Sequence, residues 1–309
     1  MRYPSNVTVV EVGPRDGLQN EATPVATADK IAFIDRLTAA GCPVIEVSAF
    51  VSPKWVPQMA DAGEVFEGIA RRPGTRYTAL VPNLAGLARA AAAGVAEVAI
   101  FAASSESFSR QNINQSIAES LEAYTAVCDR ALSQGMRVRG YLSTAFGCPF
   151  EGAVDPARVA EVAAALIAMG AFEVAVSDTI GIAHPGQVLL VLAAVAERVP
   201  LPQIALHFHD TRGTALANVL VALDLGITTF DASAGGLGGC PYAPGAAGNL
   251  ATEDLLYMLH GLGITTGIDL PGIIEASAGL APHVGHEPPS RYFRAARAST
   301  PRGARRSSS

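Results

Sequence analysis

Short runs rich in β-branched and aromatic residues alternate eight times with longer Ala- and Leu-rich segments of helical spacing, and this alternation limits the fold more than any other feature of the chain. The strand candidates are Val7–Val12, Val44–Ser48, Arg76–Val81, Val95–Phe101, Arg137–Ser143, Phe172–Ser177, Gln203–His207 and Thr228–Ala232. Each is followed by a loop and a candidate helix, so consecutive strands are expected to run parallel. Gly41, Gly94, Gly135, Gly170 and Gly226 stand at or near the ends of those helices, where a left-handed cap is wanted. Eight such units within about 265 residues match an α/β chain folded as a (β/α)8 (TIM) barrel in number and size. Thr252–Gly261 and Leu270–Gly279 remain as extra C-terminal helices. An open doubly wound sheet is the alternative.

The 309 residues show no linker, composition shift or repeat before about residue 288, so one domain over 1–287 and a basic Pro/Ser/Arg tail over 288–309 are expected. Six of the 22 basic residues follow Glu287 and no acidic residue does, leaving the preceding chain with 16 basic against 28 acidic residues, a net −12. An acidic body does not suit a phosphate backbone, so no nucleic-acid partner is expected and the tail reads as a frayed end. The longest apolar run, Val188–Ala196, is far short of the roughly 20 residues a membrane helix needs. The first strand-like run starts at about Val7, so no cleaved targeting segment is expected. Cys42, Cys128, Cys148 and Cys240 have no C-x-x-C spacing, so neither a disulfide framework nor a zinc ribbon is indicated and a cytoplasmic location is expected. Gly235–Gly239 follows the last strand and lacks the G-x-G-x-x-G spacing, so no nucleotide or flavin cofactor is expected.

In such a barrel the active face lies at the C-terminal ends of the strands. There the first strand runs into Gly13-Pro14-Arg15-Asp16-Gly17-Leu18-Gln19-Asn20-Glu21, the second carries Glu46 and the sixth leads to Asp178. The seventh ends in His207-Phe208-His209-Asp210, and Cys240 and Asn249 follow the eighth. Side chains two apart on a strand share a face, so His207 and His209 suggest a metal if the strand persists through both. Asp16 and the Asn249 amide oxygen would complete a mixed nitrogen and oxygen set suited to Mg2+ or Mn2+. The ordinary alternative is one packed histidine and one loop donor. Arg15 beside Asp16 suits stabilisation of an oxyanion, or is a structural ion pair. Glu46 and Asp178 could orient these groups, move protons or close an ion-pair network. Cys240 sits in a loop rich enough in glycine to deliver a thiol and retreat, although a buried inert cysteine is the usual case. Only Lys30 and Lys54 are present, neither on a strand, so carbon–carbon cleavage here would use a metal rather than a Schiff base.

Four segments in order resemble the hydroxymethylglutaryl-CoA lyase family, within the metal-dependent lyases and Claisen-type synthases built on a (β/α)8 barrel. They are Val10 through Glu21, Phe50-Val51-Ser52-Pro53-Lys54-Trp55-Val56-Pro57-Gln58-Met59, His207 through Asn218, and Gly236 through Asp254, and the resemblance spans about residues 7 to 270. It implies that Asp16, His207, His209 and Asn249 hold a divalent cation, that Arg15 steadies a thioester oxygen, and that Cys240 is a mobile catalytic thiol. It further implies Glu46 and Asp178 as catalytic support, with Gln19, Asn112, Tyr141 and Thr179 near the acyl group. The implied reaction cleaves 3-hydroxy-3-methylglutaryl-CoA to acetoacetate and acetyl-CoA, with an acyl-CoA thioester as partner.

Ala22, Ala49, Arg212 and Thr214 depart from the family pattern, which points to the same chemistry on another branched 3-hydroxyacyl-CoA as the alternative. A metal-dependent hydrolase is less favoured, because His184, His260, His283 and His286 do not fall on strand ends. Barrels of this size often self-associate, so a homo-oligomer is left open.

Overall fold

The computed structural model describes residues 3–239 and 248–299. Among these residues eight strands close into a barrel in chain order, every neighbouring pair parallel, with β1 returning to pair with β8. The strands are β1 Thr8–Glu11, β2 Val44–Ala49, β3 Arg76–Leu80, β4 Glu97–Ala103, β5 Arg137–Ser143, β6 Glu173–Asp178, β7 Ile204–Phe208 and β8 Thr229–Ala232. The helices are α1 Thr27–Ala39, α2 Ala62–Gly68, α3 Leu84–Ala92, α4 Glu106–Ile113, α5 Ile117–Ser133, α6 Pro156–Ala168, α7 Pro185–Ala196, α8 Ala215–Asp224, α9 Thr252–Gly261, α10 Leu270–Val284 and α11 Arg291–Ser299. The closed sheet rules out the open doubly wound alternative.

Every residue of β2 and β6 is buried, as a parallel strand covered on both faces requires. The main apolar core includes Phe33, Ile34 and Leu37 of α1, Ile45 and Val47 of β2, Leu166 of α6 and Leu206 of β7. The lumen differs from that layer. Barrel interiors are ordinarily filled by branched aliphatic side chains, yet here Arg139 on β5 reaches Asp231 on β8 through two hydrogen bonds of 2.8 and 3.1 Å. Those strands are not neighbours, so the pair spans the interior.

Two buried carboxylates tie the active-face loops to the barrel. Glu11 Oε1 accepts the backbone N–H of Gly13 and of Ala234, both at 2.8 Å, and its Oε2 accepts the Thr252 hydroxyl at 2.7 Å. Glu253 accepts the Gly235 N–H at 2.9 Å and the Ser277 hydroxyl at 2.5 Å. The turns after β1 and β8 therefore share a support. A β-carbon on Gly13 would stand 2.7 Å from Glu11 Oε1, which explains glycine there.

The structure departs from the sequence expectation at two places. The first strand ends at Glu11, and Gly13–Gly17 winds into a π-helical turn in which the Gly17 N–H reaches Val12 O. Part of the segment expected to fray is ordered: residues 291–299 form α11, with Phe293 buried. The Ser290 hydroxyl accepts the Phe293 N–H as a cap, and Asp254 accepts from Ser290, Arg291 and Tyr292. Arg291 also pairs with Asp210 at 2.7 Å, so charge left unbalanced within the tail is matched on the body.

Burial pushes the Glu253 carboxyl up from its ordinary 4.5 to about 8. A raised folded-state value means the protonated form favours the fold, a contribution complete below the unfolded value and lost as pH rises through the folded one. Relative to a Glu253→Gln variant, the parent protein should thus lose stability as pH is raised from about 4.5 through about 8. Denaturant melts across that window would show the narrowing; a constant difference would mean that Glu253 titrates alike in the folded and unfolded chain.

Candidate active site at the barrel mouth

Arg15 and Asp16 are carried by the π-helical turn after β1, which points both into a cavity of about 540 Å3 lined also by Gln19, Asn112, Tyr141, Thr179, His207 and His209. His207 lies on β7, and the chain stays extended beyond it because His209 pairs in an antiparallel bridge with Asn249. That pairing keeps the two imidazoles together, with ring centroids 5.2 Å apart. Asp16, His207 and His209 each offer a ligand atom within 4.8 Å of the others, a grouping that suits one cation.

The polar atoms around this triad test the fit. Asn249 Nδ2 donates to Asp16 Oδ2 at 2.9 Å and to Leu237 O at 3.0 Å, while its Oδ1 is buried with no hydrogen-bond partner. His209 Nδ1 is likewise buried and unpartnered. Buried polar atoms are seldom left unsatisfied, and a divalent cation with mixed nitrogen and oxygen ligands would satisfy such a set. Gly238, at φ +109°, leaves room for the amide; a β-carbon there would lie 2.6 Å from Asn249 Nδ2.

Charge fixes the protonation of these groups. Burial opposes ionisation of Asp16, but the Arg15 guanidinium and the two histidines outweigh it and hold the carboxyl at about 2. His209 is pushed down to about 4 by burial and by His207, which keeps it neutral and able to donate a lone pair. Burial would also lower His207, but its hydrogen bond to Asp231 and the Asp16 charge raise it instead.

Arg15 is held from two sides, by Glu46 at 2.6 Å through Nε and by Asp16 at 2.6 Å through Nη1, with its guanidinium 5.3 Å from the Tyr141 ring centroid. The hydrogen bonds of its guanidinium run through Nε and Nη1. Glu46 is fully buried under Arg15 and does not line the cavity. Asp178 does not line it either: its two oxygens accept the N–H groups of Ile182 and Ala183 at 3.0 Å, and burial raises its carboxyl to about 6. Gln19 Oε1 is buried and unpartnered, an open acceptor in the cavity wall. Thr179 accepts the Thr144 N–H through its hydroxyl oxygen at 2.7 Å. Arg212 and Thr214, two of the departing positions, bind the carbonyls of Ile180, Gly181 and Ala183 and so brace the loop after β6. Cys240 lies outside the described residues.

Arg139, Glu173 and Asp231 are site-supporting residues that the sequence reading passed over. Arg139 lies 5.0 Å from the Tyr141 ring centroid, so two guanidinium groups stand over that phenol ring. The available signal was a charge between uncharged, mostly apolar neighbours, at Arg139 between Val138 and Gly140 and at Asp231 between Phe230 and Ala232.

The comparisons with known proteins follow the same lines. The HMGL-like family model matches residues 6–279. The 3-hydroxy-3-isohexenylglutaryl-CoA/hydroxy-methylglutaryl-CoA lyase of Pseudomonas aeruginosa is 52% identical over 295 residues, covering 96% of this chain and 98% of that protein. The mitochondrial hydroxymethylglutaryl-CoA lyase of Bos taurus is 54% identical over 276 residues, 89% of this chain and 85% of the relative. Among solved structures, a hydroxymethylglutaryl-CoA lyase from Pseudomonas aeruginosa superposes with a TM-score of 0.95 at 52% identity, covering 96% and 99% of the two chains. An HMG-CoA lyase from Acinetobacter baumannii, in complex with coenzyme A and 3-methylmalate, superposes with a TM-score of 0.91 at 39% identity, covering 97% and 98%. With the family model, the barrel and near-complete coverage in agreement, this chain belongs to the HMGL-like family.

Proposed function

We propose that this protein cleaves 3-hydroxy-3-methylglutaryl-CoA to acetoacetate and acetyl-CoA, using a divalent cation at the barrel mouth. The observation that carries the reading is the Asp16, His207 and His209 triad with Arg15 ion-paired to Asp16 in one cavity, in a chain more than half identical to lyases of that substrate. The coenzyme A in the Acinetobacter baumannii neighbour supports an acyl-CoA partner. Asp16, His207, His209 and the Asn249 amide oxygen would hold the cation, with Mg2+ or Mn2+ best suited to the donor set. When bound, it supplies Lewis-acid polarisation of the substrate's C3 hydroxyl and acyl oxygens.

Cleavage removes the C3 hydroxyl proton, breaks the C2–C3 bond as C3 becomes a ketone, and leaves the bond's electron pair on the acetyl-CoA enolate, which then takes a proton at C2. Arg15 contributes a fixed positive charge to the enolate oxygen. Because Glu46 and Asp16 occupy Nε and Nη1, Nη2 remains to meet that oxygen, and no side-chain reorganisation is needed as charge develops. Gln19, Asn112, Tyr141 and Thr179 orient the acyl group, and Cys240 is the proposed acid or base, His207 being committed to the cation and Asp178 to the backbone N–H groups of the loop after β6. Glu46 supports the reaction by positioning Arg15. The described cysteines Cys42, Cys128 and Cys148 are buried free thiols, and we place the protein in the cytoplasm on that basis.

A second reading has its own observation. Val51, Val56, Leu80, Phe101 and Phe108 give the cavity an apolar wall, and the Pseudomonas aeruginosa relative is named for an isohexenyl as well as a methyl substrate. The wall would accept a longer branched substituent at C3.

Acetyl-CoA release from 3-hydroxy-3-methylglutaryl-CoA should vanish with chelator and return with Mg2+ or Mn2+; no release from folded, metal-loaded protein would refute the main reading. Across a panel of 3-alkyl-3-hydroxyglutaryl-CoA thioesters, the kcat/KM ranking decides the second, and a preference for the longer chains would replace the methyl substrate. Arg15→Lys keeps a charge but loses the forked geometry, so kcat should fall about 100- to 1,000-fold with a smaller change in KM. Steady-state kinetics on the folded variant would check this, and an unchanged kcat would remove Arg15 from the chemistry.

A further inference from the structure

His207 shares its strand register with Asp231 on the neighbouring β8, so the backbone itself sets the two side chains beside one another in the lumen. The Nδ1 atom of His207 lies 3.2 Å from Asp231 Oδ2. Asp231 is fully buried, and both of its oxygens accept from Arg139, at 2.8 Å for Oδ1 and 3.1 Å for Oδ2. Arg139 is fixed in turn by Glu173, which accepts from its Nε at 2.8 Å. The carboxylate therefore cannot rotate away from the imidazole without breaking both bonds of the guanidinium fork. On its other side the ring places Nε2 at 3.9 Å from Asp16 Oδ2, too far for a hydrogen bond.

We propose that Asp231, clamped by Arg139, is a positioning residue that holds the His207 imidazole as its Nδ1–H tautomer and leaves the Nε2 lone pair aimed at Asp16 and the cation. A carboxylate only accepts, so the ring nitrogen that faces it carries the proton. A neutral imidazole has one proton, and Nε2 is thereby left bare. Carboxylate partners of this kind commonly fix the orientation and basicity of a metal-binding histidine. Arg139 supplies what the histidine cannot: it sets the carboxylate's rotation from across the barrel, through a strand that carries none of the ligands. The proposal rests on the metal reading above, but its central claim concerns the ring's proton and is measurable without metal.

Nitrogen-15 NMR of metal-free protein with labelled histidine, at an alkaline pH where the ring is neutral, tests it directly. The His207 signal is assigned by its loss in His207→Gln. Protonated Nδ1 and bare Nε2 are expected; the Nε2–H tautomer would overturn the proposal. In Asp231→Asn the amide can present its NH2 to the ring, and Mn2+ affinity should fall about 10- to 100-fold. A folded Asp231→Asn protein with the parent's Mn2+ affinity and unchanged His207 signals would also overturn it. A merely structural Asp231 would shift the melting temperature while leaving the parent's tautomer free to be either form, so the first measurement holds even where the variant fails to fold. Parent protein that takes up no Mn2+ would refute the metal reading instead.

Discussion

The bond between Arg139 and Asp231 crosses the lumen of the barrel, and the active face is built outward from it. Asp231 meets His207, His207 faces Asp16, Asp16 pairs with Arg15, and Arg15 pairs with Glu46. Charges from β2, β5, β7, β8 and the turn after β1 are thus linked in one buried chain. Burying ions costs several kcal/mol each, and a well-packed apolar core is often as stable. What the network provides is placement: each partner is held by another, so that no ring or guanidinium in the site chooses its own rotamer.

That placement is divided between rigid strands and anchored turns. His207 and Asp231 are strand residues whose spacing follows from the β7–β8 register. Arg15 and Asp16 lie on a turn, the less rigid kind of support, and the Glu11 carboxylate compensates by tying the start of that turn to the segment after β8. Glu253 does the same for Gly235 from beneath, and α11 packs against α9 with Asp254 as the common acceptor. The metal-binding candidates therefore converge from three separate parts of the chain onto one supported surface.

Much of the fold was legible because a barrel repeats its signal. Eight strand periods, eight helical periods and glycine caps between them agree with one another, and small boundary errors such as ending the first strand at Val12 leave the count intact. The candidate site was legible where chemistry-bearing residues stand at strand ends, as with Asp16, His207 and His209. It was less so where a role depends on what lies across the lumen. Asp178 reads from sequence as a strand-end acid, yet its oxygens are engaged by the Ile182 and Ala183 backbone. Arg139 reads as an ordinary strand charge, and the helix over residues 291–299 was hidden because its balancing acids, Asp210 and Asp254, lie far away in sequence.

The order and kind of elements, the strand ends that carry polar groups, and the alternation that puts His207 and His209 on one side are all written along the chain. These are local properties, fixed by period, cap and residue type. Which charges meet depends on how the barrel closes. Strands five and eight are not neighbours, so only closure of the barrel brings Arg139 to Asp231, and only the bridge between His209 and Asn249 keeps the second imidazole beside the first. The physical reason is that a buried charge is stabilised by partners within a few ångströms, whatever their distance along the chain.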